Sequence, residues 1–175
     1  MAQDVSKSPE PILDKAYWQE RLVKAKETAL HHSVFRCSVD TWQRIEARHR
    51  EILAETISDH ESVLDAGCGY GRLLGLMPGR WRGRYLGVDL SPDFIALAEQ
   101  TWICGPNRMF LCGDVRKLGF ILEKEWDIAV LISIRPMVIR NCGESVWQEM
   151  ESELRRVTKR RLYLEYSPEE GGEIE

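Results

Sequence analysis

The sequence predicts an α/β protein, a doubly wound and mostly parallel sheet of about five strands behind two N-terminal helices. Three observations carry that expectation. From residue 61 onward, short apolar runs of strand length alternate with stretches of helical periodicity, the pattern of units that build parallel sheets. The first run, Val63-Leu64-Asp65-Ala66, passes straight into Gly67-Cys68-Gly69-Tyr70-Gly71, where glycine recurs at every second position. The first three strands each close on an acid: Asp65, Asp89 and Asp114.

Composition bounds the rest. A chain of 175 residues is the size of one ordinary domain, able to bury about 70% of the surface its unfolded form exposes. Its 43% hydrophobic and 30% charged residues describe a globular protein. The expected organisation is a single domain over 1–175, with a helical lid at 10–58 and a ligand-binding core at 61–166. No apolar run approaches the roughly 18–20 residues that cross a bilayer, and the polar start lacks the layout of a secretory signal. Five cysteines are scattered without a C-x-x-C, as expected of reduced thiols in a cytoplasmic protein with no metal site. A net charge of −4 disfavours a dedicated nucleic-acid binder.

Each element has its own reason. Over 10–30, Ile12, Leu13, Ala16, Tyr17, Leu22 and Val23 fall on one side of a helix, which His31-His32-Ser33 breaks. A second helix begins near Ser38 or Asp40, with Trp42, Ile45, His49, Ile52 and Leu53 at three- and four-residue spacing. After the glycine turn, Leu73, Leu74 and Leu76 suit a helix whose N-terminus faces the turn. Residues 85–89 form the second strand. Ser91 and Pro92 then cap and start a helix through Trp102. A third strand spans 109–112. The near-continuous apolar run 126–134 suits a central strand buried on both faces. A helix at 144–157, a fifth strand at 161–166 and an acidic tail complete the chain.

An acid at the end of one strand commonly caps whatever follows. Three in succession, the first beside a glycine turn, point to a ligand at the carboxyl ends of the strands, where open α/β sheets bind. A carboxylate ending the second strand can accept both hydroxyls of a ribose, and one past the third can reach an adenine amino group. A dinucleotide site would need G-x-G-x-x-G. Here Gly67, Gly69 and Gly71 put the third glycine one residue early.

VLDAGCGYGR, YLGVDLSPDFIALA and FLCGDV, in this order and spacing, resemble motifs I, II and III of the class I, Rossmann-like S-adenosylmethionine-dependent methyltransferases. The resemblance covers about residues 61–166. It implies that S-adenosylmethionine is the cofactor and that Ala66, Gly67, Cys68, Gly69 and Gly71 form the turn around its amino-acid end. Asp65 would hold the turn and reach the methionine ammonium. Asp89 would take the ribose hydroxyls, Leu90 and Phe94 would flank the adenine, and Asp114 with Val115 would meet its edge. Ser133 would face the methionine portion and the acceptor. The family usually adds two more strands after the fifth; with few residues left, the fifth strand would be an edge, paired in a homodimer or covered by the tail or a helix.

The acceptor is expected after the fourth strand. Methylases of exocyclic base nitrogens carry an acid, asparagine or serine there, then two prolines and an aromatic. Ser133-Ile134-Arg135-Pro136-Met137 has one proline and no aromatic. The expected function is therefore methyl transfer to a small-molecule or small polar acceptor. Alternatives are a module that binds the cofactor without transfer, and a methyltransferase of nucleic acid or protein. Arg135 and Arg140, read as a loop, could clamp an anionic group or pair with nearby acids. His31 and His32 could supply a base, Tyr17 and Trp18 a stacking surface, and Arg36 a partner for the cofactor carboxylate. Five cations from Arg155 to Arg161 fit the last turn of a helix and the entry to a strand better than a phosphate track.

Overall fold

The computed structural model of the protein describes residues 38–120, 126–164 and 173–174, together with Val23. The helix expected over 10–30 (apart from Val23), with Tyr17, Trp18, His31, His32 and Arg36, lies outside them. The described elements are α1 (Val39–Thr56), β1 (Val63–Ala66), α2 (Arg72–Leu76), β2 (Tyr85–Asp89), α3 (Pro92–Thr101), β3 (Arg108–Cys112), a 3-10 helix (Val115–Phe120), β4 (Trp126–Ile132), α4 (Ile134–Cys142), α5 (Glu144–Val157), β5 (Thr158–Leu164) and β6 (Glu173–Ile174).

The strand order is β3-β2-β1-β4-β5-β6, parallel from β3 to β5 as expected. The chain builds outward from β1 through β2 to β3, then returns to pair β4 on the other side of β1. That reversal leaves a crevice between the carboxyl ends of β1 and β4, where successive connections diverge. The outer edge of β5 carries β6, paired antiparallel at Leu162 with Ile174 and at Tyr163 with Glu173. A short piece of the acidic tail thus covers part of that edge.

Alternation along the strands splits the core in two. One face sets Leu64, Leu86, Val88 and Leu131 against α5, whose Trp147 and Leu154 point inward. The other sets Val63, Tyr85, Ile128 and Leu162 against Leu53 of α1 and Leu73 of α2. α1 therefore lies along the sheet, its C-terminal half inside the core. Full burial of each such leucine contributes roughly 1.5–3 kcal/mol.

Two local outcomes differ from expectation. Residues 133–137 are no loop, because α4 starts at Ile134 with Pro136 in its first turn. Proline is tolerated there, since the first N–H groups of a helix have no partner within it. β5 begins at Thr158, ahead of the expected start at Arg161, so Arg155 and Arg156 close α5 as expected, Lys159, Arg160 and Arg161 already lie in the strand, and no loop separates the two elements. Four of these five charges form ion pairs. Arg155 pairs with Glu151 at 3.0 Å, Arg156 with Glu153 at 3.3 Å, Lys159 with Asp127 at 2.6 Å and Arg160 with Glu61 at 2.5 Å. Asp127 also accepts the backbone and hydroxyl hydrogens of Ser62 at 2.9 and 2.7 Å. The Lys159 ammonium, with the Ser62 donors, holds the Asp127 carboxyl down at about 2.

The turn leading into β2 is packed to its limit at one residue. A Cβ built on Gly83 would sit 1.8 Å from the Glu61 carbonyl oxygen, which already accepts the Trp81 indole N–H at 2.9 Å. Neither backbone nor indole can yield without breaking that bond. Gly83→Ala should destabilise the protein by about 1–3 kcal/mol, the usual cost of overpacking. Denaturant unfolding checks this, and an unchanged midpoint would contradict the packing described.

Candidate functional site

The site begins where β1 ends. Ala66 is fully buried as the last residue of the strand, and Gly67 and Cys68 then both donate N–H bonds to the Val88 carbonyl, at 2.8 and 3.0 Å. This folds the turn across the end of β2. Gly67, Gly69 and Gly71 have φ of 78°, 53° and 78°, a region that side chains with a Cβ rarely adopt. Around them the space differs. A Cβ on Gly67 would lie 2.5 Å from Ile134 Cδ1, and one on Gly71 would lie within 2.9 Å of Trp102 and Phe110. One on Gly69 would meet nothing within 4 Å among the described residues. The middle of the turn therefore opens on free space while its two ends are packed.

Two of the expected acids flank this turn. Asp89 accepts the Gly69 N–H on one carboxylate oxygen and the Ser91 N–H on the other, both at 2.9 Å. Burial pushes its pKa up, and these two backbone bonds oppose the shift. Asp65, 2% exposed, accepts the Tyr85 hydroxyl at 2.6 Å. Burial raises its pKa to about 7, against the opposing effects of Tyr85 and Arg72. Burial likewise raises the Cys68 thiol, whose neighbours are Asp65 and Asp89. Leu90 follows Asp89 and is half-buried; Phe94, in the first turn of α3, is buried against Tyr70 and Leu97.

Ser133 stands across the crevice at the end of β4. Its φ of 57° makes it the single residue other than glycine with positive φ among those described. The backbone is pinned there by the Ser133 N–H bond to the Leu164 carbonyl at 2.7 Å. Its hydroxyl oxygen is buried and has no hydrogen-bond partner among the described residues. A strained residue with an unsatisfied buried hydroxyl is typical of a functional site.

Asp114 sits apart from this arrangement in one respect. Its carboxylate is held by Arg116 through contacts of 2.6–3.0 Å from the guanidinium and 2.9 Å from the backbone N–H. Burial raises its pKa, but the Arg116 bonds prevail and hold it below the usual carboxylate range. Val115 is buried in the core face shared with α5. Arg135 belongs to α4 and lies over the rings of Trp147 and Tyr163, 6.0 and 5.9 Å from their centroids. Arg140 is exposed in the last turn of the same helix.

Sequence reasoning missed the groups that support the turn. Arg72, only 7% exposed, stacks 4.1 Å from the Trp42 ring and lies 3.5 Å from Glu46 and 3.3 Å from His49 Nδ1. It thereby ties α1 to the end of the glycine turn. The 3–4 spacing of Trp42, Glu46 and His49 could have marked that face, but nothing in the sequence joins it to Arg72. Tyr85 gave no signal beyond its place in a strand.

A family profile described as "Methyltransferase domain" matches residues 63–161, more than half of the chain. Rv1506c of Mycobacterium tuberculosis, which bears a methyltransferase name, is 36% identical over 56 residues, 31% of this chain and 34% of that protein. The chain thus matches about a third of that relative's length. Among solved structures, phosphoethanolamine N-methyltransferase 1 of Haemonchus contortus superposes with a TM-score of 0.62 at 18% identity, over 85% of this chain and 31% of that one. Magnesium protoporphyrin IX methyltransferase of Synechocystis, solved with bound S-adenosylhomocysteine, gives 0.60 at 18% identity, over 85% and 70%. A TehB-like methyltransferase of Corynebacterium glutamicum gives 0.54 at 19% identity, over 85% and 71%. These structures share the fold, and the profile spans the strands that build the crevice, from β1 into β5: the chain belongs to the methyltransferase-domain family and has the Rossmann-like fold of the class I S-adenosylmethionine-dependent methyltransferases.

Proposed function

We propose that this protein transfers a methyl group from S-adenosylmethionine to a small polar acceptor held in the crevice between β1 and β4. The observation that carries the reading is the glycine turn, open at Gly69 among the described residues, with Asp89 bonded to the Gly69 N–H, Asp65 at the end of β1, and Ser133, whose buried hydroxyl lacks a partner among those residues, at the end of neighbouring β4. The residues fit the cofactor chemically. Its sulfonium and ammonium charges suit a crevice with two carboxylates, and its hydroxyls suit oxygens with lone pairs to spare.

In this reading Gly67, Cys68 and Gly69 line the amino-acid end, Asp65 faces the ammonium and Asp89 receives the ribose diol. Each Asp89 oxygen accepts one backbone N–H and retains a lone pair for a hydroxyl. Leu90 and Phe94 flank the adenine. Asp114 and Val115 lie toward its edge, with Arg116 holding the Asp114 side chain. When bound, the cofactor supplies an activated methyl group for in-line displacement. The protein's own work is then to orient the acceptor and exclude water, which can lower the barrier by several kcal/mol. A base is needed only for an acceptor that has a proton to lose.

A small acceptor is supported by two features of the surface. The cations from Arg155 to Arg160 are engaged in ion pairs at the opposite ends of the strands from the crevice, so they form no phosphate track leading to it. Arg135 packs on Trp147 and Tyr163.

Calorimetry should show binding of S-adenosylmethionine and of its demethylated product, and Asp89→Ala should weaken both by about 1–3 kcal/mol. Unchanged affinity in the folded variant would mean that Asp89 does not meet the ribose. With a methyl-labelled donor and a cell extract, label should enter the low-molecular-mass fraction; label confined to protein or nucleic acid would overturn the small-acceptor reading. Ser133→Gly should leave the melting temperature equal or higher, because it relieves about 1–2 kcal/mol of left-handed strain while adding freedom to the unfolded chain. The same variant should transfer methyl more slowly. A large loss of stability with full activity would place Ser133 in the scaffold only.

A further inference from the structure

One buried polar pair is unexplained by packing. Tyr85 is fully buried at the start of β2, amid the apolar face that holds Val63, Leu73 and Ile128. Its ring packs edge-on against Phe110, with centroids 5.6 Å apart. Phenylalanine would fill the same volume without carrying a hydroxyl into the core, where an unpaired one is costly. That hydroxyl has one use: it donates to Asp65 Oδ2 at 2.6 Å. The length is that of a charge-assisted bond. Strand geometry makes the meeting possible. Val63 pairs with Tyr85 and Asp65 with Gly87, so Tyr85 and Asp65 share a sheet face, and the long phenol spans the two-residue step between them.

We propose that Tyr85 is a positioning residue of the cofactor site, whose hydroxyl fixes the Asp65 carboxylate at the base of the glycine turn and so sets the pH range over which the cofactor is held. The inference rests on the reading that this crevice binds S-adenosylmethionine. The groups facing Asp65 are few among the described residues. β2 brings Tyr85 and Asp89, the turn brings Cys68, and α2 brings Arg72, whose other side meets Glu46 and His49 of α1. Burial and the Asp89 charge favour the protonated acid, while Tyr85 and Arg72 favour the carboxylate. With Asp65 titrating at about 7, a cationic ligand that needs the carboxylate is held fully above that pH and loses affinity as the pH falls through it. Removing the hydroxyl takes away a group that favours ionisation. The affinity then declines from a higher pH.

The test is calorimetry with S-adenosylhomocysteine, which keeps the ammonium, from about pH 5.5 to about pH 9. Affinity of the parent protein should fall as the pH drops below about 7. Tyr85→Phe should bind at least about tenfold more weakly at neutral pH and recover as the pH rises, in keeping with the loss of a hydrogen bond to a charged group. A residue that merely supports the fold would instead lower affinity by one factor at every pH. Asp65→Asn should flatten the profile, and adding Tyr85→Phe to it should change nothing further, because the hydroxyl then has no charge to hold. Parallel profiles for the parent and Tyr85→Phe, or an undiminished Tyr85 effect in the Asp65→Asn background, would overturn the proposal while leaving the cofactor reading intact. A parent protein that binds neither S-adenosylmethionine nor S-adenosylhomocysteine at any pH would overturn both.

Discussion

The carbonyl oxygen of Val88 accepts N–H bonds from both Gly67 and Cys68, and the geometry of the crevice depends on that shared acceptor. It draws the chain leaving β1 sideways over the end of β2 instead of letting it run on along the strand axis. With the backbone so bent, the next residues need left-handed conformations, which glycine supplies at little cost. The Gly69 N–H then points to Asp89, and Gly71 delivers the chain into α2. Remove the bend, and neither the carboxylate of β2 nor the helix N-terminus would share a site with β1.

The two ends of the sheet are treated differently. At the carboxyl ends of β1 and β2, acids are buried and raised toward neutrality, as at Asp65, or left with lone pairs to offer, as at Asp89, while Asp114 past β3 is held by Arg116. At the opposite ends, acids are neutralised by cations: Asp127 by Lys159, Glu61 by Arg160. Partly exposed pairs such as these contribute little stability each. Their effect is to hold that positive charge at the end of the sheet away from the crevice.

How far the sequence could be read depended on whether a feature was local. The parallel sheet, the first three acids and the glycine turn were legible because strand alternation, helix caps and glycine spacing are properties of short stretches. α4 was not legible, because Pro136 reads as a breaker until its position in the first turn is known. The 3-10 helix and the two-residue β6 gave no periodicity to detect. At the site, Asp65 and Asp89 could be picked out from their strand ends. Their partners could not, because the Tyr85 hydroxyl and the Arg72 guanidinium reach across elements far apart in the chain. Ser133 could be placed at the end of β4, but its left-handed backbone and unmatched hydroxyl appear only once β4 and β5 are paired.

The junction of α5 and β5 has a consequence for how this fold can vary. Helix and strand meet at Val157 and Thr158 with no residue between them, and the Leu154 carbonyl accepts both the backbone N–H and the hydroxyl of Thr158. One residue inserted there would turn Leu162 and Leu164 away from the face they fill and bring Tyr163 in their place. The spacing from Trp147 to Leu164 is therefore fixed by both core faces at once. Changes of length that retune the protein toward a different acceptor have to be accommodated elsewhere, in the connections that open on the crevice.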